Sequence, residues 1–209
     1  MPKTIPQSQI PLLPFLYHRK RLVATPRPRK PGSALLNSKI GLIRTDITII
    51  NVPNGAIVNA ANNALVNGGG VCGAIHSAAG RGLLEECIQL NSCETGDAKV
   101  TKAYNLPCKN VIHAVGPIYW KARKTNEHAL LLSSCYTASM KLAVENGLDT
   151  IVFPAVSTGI YGYPSNEAAE TAISAVREFL ETEDGKRLNS VVFCNFEAKD
   201  EMAYLELLP

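Results

Sequence analysis

Short apolar runs alternate along this chain with stretches whose apolar residues recur at helical spacing. Residues 56–58 (AIV) open a run of the buried-strand kind, and a polar loop at 62–70 follows and closes on Gly68, Gly69 and Gly70. From Val71 the pattern turns helical, with Ile75, Ala78, Ala79, Leu83, Leu84, Cys87 and Ile88 at the apolar positions. Upstream, residues 41–51 (GLIRTDITIIN) are rich in Ile and Thr and read as a strand. Downstream, 99–106 and 111–115 read as strands linked through Pro107, the second ended by Gly116-Pro117. A helix is predicted over 127–146, with Gly147 suited to stop it. Residues 150–156 (TIVFPAV) form the next buried strand and feed a second glycine-containing loop, 157–164 (STGIYGYP). Beyond it come a helix over 166–181 with Ser165 as its N-cap, a strand at 190–196 and a helix at 199–208.

This alternation predicts an α/β domain of three layers over residues 34–209. Residues 1–33 form a basic, proline-rich extension laid against it. Within the extension, 10–23 (IPLLPFLYHRKRLV) reads as a short helix with Leu12, Leu13, Phe15, Leu16 and Leu22 buried.

Both glycine loops stand between a strand and a helix. Glycines let the backbone come close to a ligand, and free N–H groups at a helix start point at an anion. The first loop is neither a Walker loop, since no Gly-Lys-Ser/Thr follows, nor a convincing dinucleotide fingerprint, since no acidic residue closes a following strand at the right distance. Two such loops predict a ligand with two phosphates held between them, beyond the carboxyl ends of the strands. Asp46, inside an apolar run, reads either as a turn-former near a strand end or as an acceptor for a ligand. His113 in the run VIHAV reads as a core histidine, and Trp120 as a packing residue.

Composition narrows the classes. The chain has 209 residues, 46% of them hydrophobic, and no apolar run approaches the ~20 residues of a membrane span. The net charge of +3 hides an asymmetry: residues 1–33 hold seven Lys/Arg and no acid, which leaves −4 on the other 176. The main domain is therefore not a basic nucleic-acid surface, and a monomer is expected. The acid-free, Arg-bearing extension is also similar to a mitochondrial presequence, but its seven prolines oppose a long amphipathic helix. A cytoplasmic or nuclear location is the expectation. The six cysteines form no C-x-x-C pair and read as reduced thiols, with no metal ligand set and no cofactor expected.

At least five separated segments then carry a resemblance. Thr45-Asp46-Ile47-Thr48, Ile57-Val58-Asn59-Ala60-Ala61-Asn62, Gly68-Gly69-Gly70-Val71 with Gly73-Ala74-Ile75-His76, Gly96-Asp97-Ala98, the run from Val111 to Pro117 and the run from Ser157 to Pro164 closely resemble a macrodomain of the MacroD-type ADP-ribosyl hydrolase subgroup. The resemblance runs from about residue 40 onward. It implies a three-layer α/β/α fold with a mixed central sheet and a cleft for ADP-ribose. By similarity, Asp46 accepts from the adenine amine beside the Ile47 backbone, and Phe196 stacks on adenine. Gly68, Gly69, Gly70 and Val71 wrap the diphosphate together with Ser157, Thr158, Gly159, Ile160 and Tyr161. Asn62 holds the distal ribose under Tyr161, while Asn59 and His76 brace the loop.

The resemblance also implies a reaction: water attacks an ester at the distal ribose, releasing ADP-ribose from an acidic side chain of a mono-ADP-ribosylated protein, or acetate from O-acetyl-ADP-ribose. Family hydrolases of this type carry an aspartate ten residues after the ribose-binding asparagine, and here that place is Cys72. Asn67 also stands where the subgroup usually has another glycine. A thiol is a weak hydrogen-bond partner where a carboxylate is an acceptor and a base. Two expectations stay open: a hydrolase and deacetylase with Asn62 and Cys72 at its reacting end, or a module that reads ADP-ribose without cleaving it. A thiolate at Cys72, favoured by a helix start but opposed by a bound diphosphate, is a third, narrower idea.

Overall fold

The structure is a computed structural model and describes residues 3–24 and 30–208. Arg27 and Arg29, counted above in the basic extension, lie outside the described residues. In chain order the elements are β1 (Ile5–Pro6), α1 (Leu13–His18), α2 (Ala34–Asn37), β2 (Ile40–Arg44), β3 (Ile50–Ala60), α3 (Gly70–Ala79), α4 (Arg81–Gln89), β4 (Ala98–Lys102) and β5 (Cys108–Ala114). There follow α5 (Tyr119–Ala122), α6 (His128–Glu145), β6 (Thr150–Phe153), α7 (Ser165–Leu180), α8 (Glu183–Lys186), β7 (Ser190–Asn195) and α9 (Ala198–Leu207).

The strands form one mixed sheet in the order β2-β7-β6-β3-β5-β4, and β1 pairs with the start of β3. Every pairing is parallel except β4 with β5. Successive residues of a strand face opposite sides, so β3 sends Ala56 and Val58 to one layer and Ile57 to the other. Ala56 and Val58 pack with Ile112, Phe153 and Phe193 under α6, α7 and α9. Ile57 packs with Val111, Val152 and Val192 under Ile75 of α3 and Leu83 and Cys87 of α4. Two apolar layers thus sandwich a sheet buried on both faces, which is why its central strands read as continuous apolar runs.

Several predicted elements are re-cut by local chemistry. The run 41–51 is two strands rather than one. Asp46 Oδ1 accepts from Thr48 N at 2.9 Å and Thr48 Oγ1 at 2.8 Å, and caps a 3-10 turn at Ile47–Ile49. The chain breaks there, so β2 pairs with β7 while β3 sits between β5 and β6. The helix predicted from Val71 onward splits at Gly80, whose φ of +87° an L side chain rarely adopts. β6 stops at Phe153, before Pro154, which has no N–H to give a ladder. Ser165 is the first residue of α7 and not its cap: Pro164 holds the cap position, and Ser165 Oγ instead donates to Asp200 Oδ1 at 2.7 Å.

Near the start of the chain, Leu13, Leu16 and Leu22 are buried in the same core as expected, but Leu12 is only half-buried and Phe15 is exposed. Trp120 does not pack: it is 58% exposed. No helix among the described residues is long and apolar enough to cross a membrane.

Candidate functional site

The parallel strands put their carboxyl ends on one edge of the sheet, and the loops that leave those ends line a cleft of about 400 Å3. Asp46 and Ile47 follow β2, Asn62 and the glycine loop follow β3, Gly116 follows β5, Ser157 to Tyr161 follow β6 and Phe196 follows β7. Every residue singled out from the sequence as ligand-binding or catalytic, Cys72 included, lies on this one cleft. Other wall residues were not, among them Ala74, Gly116, Glu197 and Asp200.

The first loop is held from beneath by side chains. Asn62 Nδ2 donates to the Val66 carbonyl at 2.8 Å, and Asn62 Oδ1 accepts from Val66 N at 3.2 Å. Cys72 is the third residue of α3 and only 4% exposed. Its Sγ donates to the same Val66 carbonyl at 3.6 Å and accepts from Asn59 Nδ2 at 3.7 Å. Asn59 also faces His113 Nδ1 at 3.1 Å, so that nitrogen is the acceptor and His113 Nε2–H turns to Thr101 Oγ1 at 2.9 Å. Burial pushes the Cys72 thiol above its ordinary range, and the hydrogen bonds from Asn59 and the Gly68 backbone offset this only in part. The position is built to hold a neutral thiol, which argues against the thiolate idea.

Gly70 and Gly73 are required for different reasons. Gly70 opens α3 at φ +59°. A methyl group on Gly73, one turn into α3, would stand 2.5 Å from the Gly68 carbonyl oxygen. The helix therefore carries the loop directly on its back. Sequence reading placed Gly73 only in a motif, because its neighbour in space lies five residues away along a turn.

The second loop crosses opposite the first. Ile160, 80% exposed, leans toward it: a methyl on Gly69 would come within 2.9 Å of Ile160 Cδ1. Ser157 sits at φ +68°, a strained setting for a non-glycine residue, and its buried Oγ has no partner among the described residues. Thr158 Oγ1 donates to Asp200 Oδ2 at 3.2 Å, and the Thr158 carbonyl accepts from Lys199 Nζ at 2.9 Å. Asp200, buried on α9, thus fixes both the loop and the start of α7 through Ser165. Nothing in the sequence pairs residue 200 with residue 158, so this brace was not foreseen. At the far end, Ile47 is buried while Phe196 stands 77% exposed as a flat apolar wall beside Asp46.

Among the described residues the wall carries no lysine or arginine. An anion there would be held by backbone N–H groups of the two loops and by the start of α3. One grouping away from the wall matters for metal chemistry, which the sequence did not suggest. His76, Cys87 and His113 are buried with their ligand atoms within 4.8 Å of one another. Both nitrogens of His113 already face Asn59 and Thr101, while those of His76 have no partner among the described residues.

Against known proteins, the macro domain family model matches residues 58–172, more than half of the chain. This chain belongs to the macro domain family. The macrodomain is 48% identical over 182 residues to the ADP-ribose glycohydrolase MACROD1 of Rattus norvegicus, covering 87% of this chain and 69% of that protein. It spans 55% of the Mus musculus MACROD1. It is 52% identical over 172 residues to a macro domain-containing protein of Chlorobaculum tepidum, covering 82% and 96% of the two chains. Among solved structures, it superposes on the Trypanosoma brucei macrodomain in complex with ADP-ribose with a TM-score of 0.80 and 37% identity, covering 100% of this chain and 78% of that one. These likenesses agree with the mixed sheet and three layers described above.

Proposed function

We propose that this macrodomain binds ADP-ribose in the cleft and hydrolyses the ester that joins mono-ADP-ribose to acidic side chains of proteins, and O-acetyl-ADP-ribose as a smaller substrate. The observation that carries the reading is the pair of loops facing each other, Gly68 to Val71 and Ser157 to Tyr161, with Asp46 and Phe196 at one end and Asn62 and Cys72 at the other. A diphosphate lies between the loops, adenine lies against Phe196 with its amine at Asp46, and the distal ribose lies by Asn62 under Tyr161. The ADP-ribose in the trypanosome structure supports the choice of ligand, and the name of the MACROD1 relatives supports a hydrolytic activity.

The reacting end works without a carboxylate at position 72. Burial keeps Cys72 a thiol against the opposing Asn59 contact, and its proton goes to the Val66 carbonyl, so general-base help from it is not part of the mechanism. Water attack then depends on alignment by Asn62 and on the diphosphate as the local base. Loss of a general base typically costs on the order of 10²–10⁴ in rate. Cys72 is the specific observation that favours a second reading, a reader that keeps the cleft and has lost turnover.

The deciding experiment pairs calorimetric titration of ADP-ribose with cleavage of O-acetyl-ADP-ribose and of an ADP-ribosylated acidic protein, on wild type and Cys72→Asp. Turnover by wild type within about tenfold of Cys72→Asp supports the hydrolase. Binding by both with cleavage by Cys72→Asp alone makes the chain a reader. No binding by either overturns the cleft assignment.

A further inference from the structure

The segment that leaves the cleft wall at Gly116 carries a charge pattern that ADP-ribose recognition does not use. Lys121, Arg123 and Lys124 fall within four residues in and just after α5, all exposed. They surround Trp120: Lys121 Nζ and Lys124 Nζ lie 5.4 and 5.2 Å from its ring centroid. The nearby acids are engaged elsewhere, Glu127 by the Thr125 hydroxyl at 2.6 Å and Glu167 by the Tyr119 hydroxyl at 3.1 Å. Since residues 34–209 together carry a net −4, this turn reverses the sign of the domain locally.

Its place is fixed by the cleft. Tyr119 N donates to the Tyr161 carbonyl at 3.0 Å, so the first residue of α5 is bolted to the lip of the second loop. Gly116 lies so close beneath that loop that a methyl there would run into Ser157 Oγ. The patch therefore begins one residue beyond the end of the cleft at which Tyr161 stands. If the distal ribose lies there, as the proposed function has it, whatever the ribose is attached to leaves the cleft across this turn.

We propose that Trp120, Lys121 and Lys124 form a docking patch for an acidic stretch of the polypeptide that carries the ADP-ribose, so that the macrodomain reads the flanking protein as well as the nucleotide. Carboxylates on either side of the modified residue pair with the two ammonium groups, and the indole takes the apolar part of the peptide. The proposal rests on the ADP-ribose reading of the cleft. A peptide fits better than a nucleic acid on two counts. One helical turn spans only about 6 Å, too short to follow a run of phosphates. The net negative domain around it repels a long polyanion.

The test compares dissociation constants for free ADP-ribose, a mono-ADP-ribosylated peptide with acidic flanks and the same peptide with neutral flanks. Wild type, Lys121→Glu/Lys124→Glu and Trp120→Ala are measured at low and high salt. In wild type the acidic peptide is expected to bind roughly 3- to 10-fold tighter than the neutral one, an advantage lost in the double variant and screened at high salt. Free ADP-ribose binds all three proteins equally. Normal ADP-ribose binding with no effect of the flanks, or an advantage that survives the double variant, overturns the patch and leaves the cleft reading intact. Loss of ADP-ribose binding in wild type defeats the cleft reading itself. A gel shift of single-stranded RNA that the double variant abolishes would reassign the patch to nucleic acid.

Discussion

The Cys72 thiol and the Asn62 amide converge on one acceptor, the carbonyl of Val66, at 3.6 and 2.8 Å. The two residues assigned to the reacting end in the proposed function are thus joined through a backbone atom of the loop between them. Their burdens differ. Asn62 closes a two-bond ring with Val66, whereas Cys72 adds a weak sulfur bond. Asn62→Ala is expected to weaken ADP-ribose binding by about tenfold, since it loosens the loop and removes a polar contact. Cys72→Ala should leave the dissociation constant within about threefold. Titration calorimetry on the two variants separates them, and a large loss from Cys72→Ala would mean that the thiol touches the ligand.

Phe196 is 77% exposed, so it contributes little to folding, yet it lines the cleft. Stacking of a base on an aromatic ring is worth about 1–3 kcal/mol. Phe196→Ala should therefore cost roughly 10- to 100-fold in ADP-ribose affinity with no fall in Tm. Equal affinity for ADP-ribose and ribose 5-phosphate in wild type would count against adenine lying there.

Gly73→Ala sets two effects against each other. Alanine gains about 1 kcal/mol of helix propensity over glycine. Its methyl group would meet the Gly68 carbonyl oxygen at 2.5 Å, a backbone atom that must move for it to fit. Because α3 supports the glycine loop, the shift falls on the loop. The expected result is a loss of ADP-ribose affinity of about tenfold or more with a fall in Tm of only a few degrees, measured by calorimetry and thermal melts. Unchanged affinity would show that the loop is not held by this contact.

His113 makes stability depend on pH. It is fully buried, and burial, with His76 beside it, lowers its pKa to about 3 from an ordinary 6.5. Between those values the unfolded chain binds a proton that the folded chain refuses, so folding stability falls as pH drops below 6.5. At pH 5 the contribution is about 2 kcal/mol for this one group. The His76 pKa is lowered by burial as well, which adds in the same direction. Urea unfolding at pH 7.5 and pH 5 should show the loss, and a His113→Asn variant should show a shallower dependence. A flat wild-type profile would mean that the ring takes up its proton in the fold at the same pH as in the unfolded chain.

Much of the cleft was legible in the sequence because the chemistry is local. The glycine loops, Asp46 and Phe196 each follow a strand, and parallel strands bring such loops to one edge. Asp46 shows how two local readings can both hold: it turns the chain through Thr48 and also lines the cleft. What was not legible joins residues far apart in the chain. Asp200 meets Thr158 across 42 positions, and His76, Cys87 and His113 meet only because α3, α4 and β5 share a layer. Strand ends were also misplaced where one side chain or one proline overrode an apolar run, as at Asp46 and Pro154.

Helix α9 has one further consequence. Glu201, largely covered, takes Arg21 at 3.0 Å and Arg44 at 3.1 Å, while its neighbour Asp200 turns to the other side and holds Thr158 and Ser165. The stretch containing Leu13, Leu16, Leu22 and Arg21 therefore shares a helix with the second loop of the cleft. A recombinant version trimmed to begin near residue 34 would bare the apolar seats of those three leucines and loosen that helix from its outer side. It should come out of the cell poorly soluble and weak in ligand capture, and the fault would lie in folding yield rather than in the chemistry of the cleft.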